Sequence, residues 1–328
     1  MPMKTMIEAI CEGMAEEMRR DEGVILMGED VGAGGGVFGA TQGLHAEFGD
    51  LRVIDTPLSE SSIVGVAIGA AFNDMRPIAE MQFADFIFPA MNQIVSEAAR
   101  IRYRSNGDFS CPIVVRAPYG GGVHGALYHS QSVEAMFHHV PGLKIVAPAT
   151  PYDAKGLLKA AIRDPDPVMF FEHKRTYRLV KGEVPEGDYA LPIGQAEVKR
   201  AGSDLTVISY GLVLHTVLEA AEALAEEEGI DVEVVDLRTI KPLDKETILA
   251  SVRKTSKALV VHEDNLTGGV GAEVAALIAE EAFDALDGPV RRLCGPDVPA
   301  MGFAGTLEHA YLPDVGRVRQ AIAELAAY

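Results

Sequence analysis

Short apolar runs of strand length alternate with helical stretches along most of this chain, and that rhythm leaves few folds open. Val24–Gly28, Leu51–Asp55, Pro77–Met81, Pro112–Ala117, Lys144–Ala147 and Val168–Glu172 read as strands. Between them, Thr5–Asp21, Ser61–Phe72, Phe88–Arg104 and Tyr152–Arg163 read as helices. A β-α-β order implies a mostly parallel sheet covered on both faces. From His173 to Pro192 the periodicity fades into charged residues, Gly and Pro, which reads as a linker. The rhythm then restarts with strands at Leu205–Ser209, Val232–Val235, Ala258–His262 and Val290–Leu293. Helices are expected at His215–Glu228, Gly271–Ala285 and Asp314–Ala327. The expectation is an α/β chain of two doubly wound domains, residues 1–185 and 186–328.

The bulk properties fit this division. A chain of 328 residues that is 48% apolar can fill two sizeable cores. No run approaches the roughly 18 apolar residues of a membrane span. Met1 to Arg20 alternates apolar residues with Glu and Lys and lacks a signal-peptide core, so a cytoplasmic protein is expected. Cys11, Cys111 and Cys294 are far apart and read as free thiols, neither a disulfide framework nor a zinc site. A net charge of −19, from 29 basic and 48 acidic residues, argues against a nucleic-acid partner. It would suit a basic protein partner or plain solubility.

Candidate chemistry gathers where strands give way to loops. Asp55-Thr56-Pro57-Leu58-Ser59-Glu60 opens a helix that is apolar on nearly every side. Thr56 or Ser59 can cap it, and Pro57 suits a first helical turn. A helix apolar all round is expected to be buried. Glu60 then either enters a dry interior, needing a partner, or stays wet at the helix mouth, favoured by the helix dipole. Gly34-x-Gly36-x-x-Gly39 matches a dinucleotide fingerprint as a string. Glu29 and Asp30 beside it would repel a pyrophosphate, and the segment after it is a poor helix, so a flexible loop is the preferred reading. Gly120-Gly121-Gly122-Val123-His124-Gly125-Ala126-Leu127-Tyr128-His129-Ser130-Gln131-Ser132 follows a strand end, where parallel sheets carry their sites. His129 there is a candidate proton donor or a helix-capping residue, and His124 a weaker candidate. Glu80 to Phe88 offers either an aromatic pocket wall or core. Asp164-Pro165-Asp166-Pro167 offers a cation-binding turn or a plain tight turn.

Taken together, these segments resemble the beta subunits of thiamine-diphosphate-dependent 2-oxo acid dehydrogenases over essentially the whole chain. The resemblance rests on Asp55-Thr56-Pro57-Leu58-Ser59-Glu60, Gln82-Phe83-Ala84-Asp85, His129-Ser130-Gln131-Ser132 and Pro141-Gly142-Leu143-Lys144-Ile145-Val146. It continues through Pro151-Tyr152-Asp153-Ala154-Lys155-Gly156-Leu157-Leu158 and Ile162-Arg163-Asp164. Ala126-Leu127-Tyr128-His129 and Phe170-Phe171-Glu172-His173-Lys174 look most like the branched-chain, or 2-oxoisovalerate, members, with pyruvate and acetoin members close.

The resemblance implies a transketolase-like pyrimidine-binding domain followed by a transketolase C-terminal-like domain. It implies thiamine diphosphate shared with an alpha subunit, which holds Mg²⁺, in a heterotetramer of two alpha and two beta chains. The metal motif of the family, Gly-Asp-Gly with later asparagines, is absent here, as suits a chain supplying half a site. Glu60 would hydrogen-bond the aminopyrimidine ring, beside Phe86 and the pocket-lining Gln82. His129 would assist acyl transfer to lipoyl-lysine of an acyltransferase core, after decarboxylation of a 2-oxo acid. The acidic C-terminal domain, with the Tyr328 carboxylate, would suit docking on a basic subunit-binding domain of that core. A structural K⁺ would be held at Ile113, Ala161, Ile162, Asp164 and Asp166, with Asp166 standing where some members have Asn. Two other readings are a non-catalytic assembly subunit and an autonomous nicotinamide dehydrogenase.

Overall fold

A computed structural model describes residues 1–328, which divide into two compact units. The first comprises Met1–Tyr119 and Met136–Ile193, the second Gly120–Ala135 and Gly194–Tyr328. Compactness puts the break at Ile193/Gly194, close to the expected 185/186, and groups Gly120–Ala135 with the second unit.

The strands of the first unit are β1 (Met3–Thr5), β2 (Val24–Gly28), β3 (Val53–Asp55), β4 (Arg76–Glu80), β5 (Val114–Tyr119), β6 (Lys144–Val146), β7 (Val168–His173) and β8 (Lys181–Glu183). Its sheet runs in the order β6-β7-β5-β4-β2-β3, and every pair is parallel. Every residue of β2, β5 and β7 is buried, which explains their nearly continuous apolar sequence. The helix Met6–Arg20 turns Met6, Ile10, Met14 and Met18 toward Leu157, Leu158 and Ala161 of the helix Pro151–Arg163. Thr5 and Glu8 start the first of these with a reciprocal capping box.

Three local expectations are corrected. The stretch read as a linker contains the helix Thr176–Leu179 and β8, which pairs antiparallel with β1. Its periodicity is weak because both elements are too short to show one. The long helix expected at Phe88–Arg104 is a 3₁₀ turn at Phe88–Ala90, a π-helical stretch at Asn92–Ala98 and an α-helical turn at Ile101–Arg104. Its apolar residues gave the period, but the widened turns change which of them face inward. Finally, the helix Glu60–Ala71 buries Ile63, Val64, Ala67, Ile68 and Ala71, while Ser62, Val66 and Gly69 lie exposed. One apolar face is therefore left uncovered by this chain.

In the second unit the strands are β9 (Glu197–Arg200), β10 (Leu205–Ser209), β11 (Val232–Asp236), β12 (Thr239–Lys241), β13 (Ala258–Asn265) and β14 (Arg291–Gly295). Five of them form a sheet in the order β14-β13-β10-β11-β9, parallel except for β9. The helices Leu212–Glu227, Val270–Glu281 and Val315–Ala326 match expectation to within a few residues. The helix Lys245–Thr255, capped by Asp244, and the strands β9 and β12 have no counterpart in the sequence reading.

Candidate active site

In the first unit, the chain passes from β2 to β3 on one side and then returns to β4 on the other. The carboxyl ends of these strands therefore flank a topological switch point, where open parallel sheets bind ligands. Gly28, Asp55 and Glu80 end the strands in the same register. Three polar segments emerge there: Glu29–Asp30, Thr56–Glu60 and Met81–Phe86.

Backbone and side-chain hydrogen bonds tie the segments together. The Thr56 amide donates to the Gly28 carbonyl at 2.9 Å, and the Gly32 amide to Asp55 Oδ1 at 2.6 Å. Gln82 Nε2 donates to Asp30 Oδ2 at 3.2 Å. Glu60 is half-buried and is the first residue of its helix, so helix amides with no intrahelical partner lie at the same end. Neither expected cap is used: Ser59 Oγ donates to Ser62 Oγ at 3.0 Å instead of accepting from the helix, and Pro57 lies before it. Thr56 Oγ1 is buried and has no hydrogen-bond partner within the chain. The carboxyl of Glu29 is held above its usual range by burial, then by the negative charges of Asp30 and Glu60. This edge is acidic, which disfavours a diphosphate here and agrees with reading Gly34–Gly39 as a loop. Residues Gly35, Gly36 and Gly39 all have positive φ, and the five-residue helix Leu44–Phe48 is the next helix.

Beside the carboxylates stands an aromatic wall. Phe38 meets Phe83 edge-on at 5.3 Å between ring centroids, and Phe83 meets the half-buried Phe86 at 5.6 Å. Below it lies a charge network that sequence reasoning missed. The Arg116 side chain is 0% exposed, as is that of Glu172. Its Nε and Nη2 donate to Glu172 Oε1 and Oε2, each at 2.7 Å, and its Nη1 donates to Glu80 Oε2. The Tyr177 hydroxyl donates to the same Glu172 carboxylate. Burial pushes the Glu80 carboxyl up, and Arg116 pulls it back. Burial opposes the Arg116 charge, but Glu172 and Glu80 outweigh it and hold the guanidinium protonated. A Cβ on Gly36 would lie 3.1 Å from Glu80 Oε1, so the glycine loop packs closely over this network. The available signal was a charge inside an otherwise apolar strand, with Glu80 and Arg116 as cross-strand partners.

The second unit holds His129. It is half-buried, directly after a 3₁₀ turn at Ala126–Tyr128. The next helix, Glu134–His138, begins shortly after Ser132. The segment before it is gripped by two buried carboxylates, Glu263 of β13 and Glu308 of the helix Gly305–Tyr311. Further along, the Tyr210 hydroxyl donates to Glu134 Oε1 at 2.8 Å. Burial, reinforced by Asp264 and Glu263, holds the Glu134 carboxyl well above the usual range.

Ile113, Ala161, Ile162, Asp164 and Asp166 do converge, at the opposite end of the first sheet from Glu60. Their oxygens are already served by the protein. Lys144 Nζ donates to both Asp164 oxygens at 2.7 Å and lies 3.5 Å from Asp166 Oδ2. Arg76 Nη1 donates to the Ile162 carbonyl at 2.9 Å, and the Asp164 amide to that of Ala161 at 3.2 Å. The Val168 amide donates to the Ile113 carbonyl at 3.0 Å, and Arg102 pairs with Asp166. An ammonium and two guanidiniums thus balance the carboxylates of this corner, where the resemblance would place a K⁺. No group of three or more His, Cys, Asp or Glu side chains is placed to hold a metal ion. No helix is long and apolar enough to cross a membrane.

Comparison with known proteins agrees with this architecture. The transketolase pyrimidine-binding domain matches residues 3–180, and the transketolase C-terminal domain residues 194–318. The chain is 63% identical to the 2-oxoisovalerate dehydrogenase subunit beta of Bacillus subtilis, with 100% of both chains covered. It is 50% identical to the pyruvate dehydrogenase E1 component subunit beta of the same organism, over 90% of this chain and 91% of the relative. An acetoin:2,6-dichlorophenolindophenol oxidoreductase subunit beta from Cupriavidus necator is 48% identical over 95% of this chain and 94% of the relative. Among solved structures, a split-gene transketolase, described as an inactive beta4 tetramer, shares the fold with a TM-score of 0.80 at 23% identity, covering 98% of each chain. The chain belongs to the family of 2-oxo acid dehydrogenase beta subunits, built from a transketolase pyrimidine-binding domain and a transketolase C-terminal domain.

Proposed function

We propose that this chain is the beta half of a thiamine-diphosphate-dependent decarboxylating component acting on branched-chain 2-oxo acids. The observation that carries the reading is the full-length 63% identity to a 2-oxoisovalerate dehydrogenase beta subunit, against 50% and 48% to the pyruvate and acetoin relatives. The residues at the switch point fit one end of the cofactor. A carboxylate at a helix start, an amide side chain and an aromatic wall suit an aminopyrimidine ring. The acidic edge disfavours the diphosphate, and no group of three or more His, Cys, Asp or Glu side chains is placed to hold its Mg²⁺, so an alpha subunit would hold both. When bound, thiamine diphosphate supplies the carbon nucleophile and the electron sink for decarboxylation.

The chain's own part is proton management and orientation. Glu60 would hydrogen-bond the pyrimidine ring nitrogen and hold a proton there; in a dry site that bond is stronger than in water. Phe86 and Gln82 would fix the ring's orientation. His129 would serve acyl transfer to a lipoyl-lysine of the acyltransferase core. In that step an electron pair from the cofactor-bound acyl donor would break the lipoyl S–S bond as one sulfur bonds the acyl carbon; the bond from that carbon to the cofactor would then break with loss of the donor's hydroxyl proton, and a ring nitrogen of His129 would give a proton to the other sulfur. A heterotetramer of two alpha and two beta chains in the cytoplasm completes the reading. The net charge of −19 is the feature that would favour a basic docking domain on the acyltransferase.

The test compares this chain alone and with its alpha partner, thiamine diphosphate and Mg²⁺. Decarboxylation of 3-methyl-2-oxobutanoate and pyruvate is followed in parallel. Activity only with both chains, and higher kcat/KM for the branched substrate, is expected. Higher kcat/KM for pyruvate would reassign the substrate, and an inactive but intact complex would point to an assembly role.

A further inference from the structure

We infer that Glu308, with Glu263, is a positioning residue that sets the place of His129 for acyl transfer; this rests on the proposed role of His129. Glu308 spends both oxygens on one loop. Its Oε1 accepts the amides of Gly122 at 2.8 Å and His124 at 3.1 Å, and its Oε2 lies 2.8 Å from His124 Nδ1. Glu263 Oε1 accepts the Gly121 amide at 2.6 Å and the Ser132 hydroxyl at 3.3 Å. Both carboxylates are buried, at 4% and 3% exposure. Hydrogen bonds to a charged acceptor are roughly twice as strong as neutral ones, so two such anchors fix the loop at both ends of the His129 segment.

The loop between the anchors is strained. His124 and Ala126 have φ of 56° and 54°, a left-handed conformation that is unfavourable for a non-glycine residue. Such strain persists only where surrounding contacts over-determine it, and it concentrates at functional sites. The strained stretch also packs directly on His129. A Cβ at Gly125 would come within 2.7 Å of both His129 Cβ and the His129 carbonyl oxygen. Any relaxation of residues 124–126 therefore moves His129. The support is in turn tied to the end of β13, because Tyr311, on the Glu308 helix, donates to Asn265 Oδ1 at 2.7 Å. Two buried carboxylates are a costly way to secure a plain surface loop. They are suited to holding an imidazole to within a fraction of an ångström.

The test uses the complex with the alpha subunit, thiamine diphosphate and Mg²⁺. Glu308→Gln keeps the side-chain size and one acceptor, but loses the charge and the acceptor for His124 Nδ1. Acylation of a free lipoylated domain should fall by about 10- to 100-fold, the scale of a misplacement near 1 Å. Decarboxylation read with an artificial electron acceptor should fall several-fold less. Hydrogen exchange at the amides of residues 121–125 should speed up. His124→Gln, at an exposed side chain, should give a smaller loss of the same kind and stands in if Glu308→Gln does not fold. Faster amide exchange with unchanged acylation, or equal losses in both assays, would overturn the inference. His129→Ala runs in parallel: if it leaves acylation intact, the proposed role of His129 fails, whatever Glu308→Gln does.

Discussion

Arg116 sits fully enclosed between Glu80 and Glu172, and at the scale of single residues this triad is the firmest constraint near the candidate site. Replacing a whole buried ion network can be neutral, but removing one partner leaves uncompensated charge. Arg116→Met should therefore cost about 3–5 kcal/mol in urea unfolding of the first unit. A loss under 1 kcal/mol would mean that the Arg116 guanidinium is not what holds this network together. His262 gives a second handle. Burial lowers its pKa to about 4, and its Nε2 accepts the Gly271 amide at 3.0 Å, so the folded imidazole is neutral. Between about 4 and 6.5 the unfolded chain binds more protons, so this contribution is present above pH 6.5 and is lost as pH falls through about 4. Burial holds the Asp264 carboxyl up, so its contribution runs the other way and fades as pH rises. His262→Gln should keep an acceptor for Gly271 and weaken the loss of stability on acidification over that window. An unchanged pH dependence of the unfolding midpoint would contradict the assignment. The segments that carry Glu60 and His129 were legible as a helix start and a glycine-rich loop after strand-like runs, whereas Gln82 and Phe86 were singled out only by the family resemblance. The Arg116 network was not, because its members are remote in sequence and meet only through strand register.

At the scale of elements, the parallel strands were readable because burial on both faces leaves continuous apolar runs. Short or edge elements were not. β1 and β8 are three residues each, too short to carry a period, yet they close the supposed linker onto the first unit. The helix Glu60–Ala71 was expected to be buried throughout because almost every residue is apolar. Its sequence pattern satisfies two surfaces, and this chain covers only one: Val66 is 57% exposed. The small residues Ser62, Gly65 and Gly69 near it would let another backbone approach closely. The same helix begins with Glu60, so a partner covering this face would also close over the proposed half-site. Val66→Glu should change the stability of the isolated chain by within about 0.5 kcal/mol. It should sharply reduce co-purification with the alpha subunit. Undiminished co-purification would mean that this face is not the one the alpha subunit covers.

For the whole molecule, two doubly wound units were legible from the restart of the β-α rhythm, and both domain families match in that order. The allegiance of Gly120–Ala135 was not legible, because the chain leaves one unit and returns to it. The contacts that decide this are Glu263 and Glu308, more than a hundred residues downstream. Both units place polar residues at the carboxyl ends of parallel strands. In the function proposed above, Glu60 of the first unit would orient the cofactor ring and His129 of the second would deliver a proton. The most direct measurement is turnover by the reconstituted complex carrying Glu60→Gln, with binding of thiamine diphosphate measured on the same sample. A folded, cofactor-binding complex is expected, with kcat lower by about 10²- to 10⁴-fold, the range of a lost general acid–base group. Near-normal turnover with intact binding would contradict it.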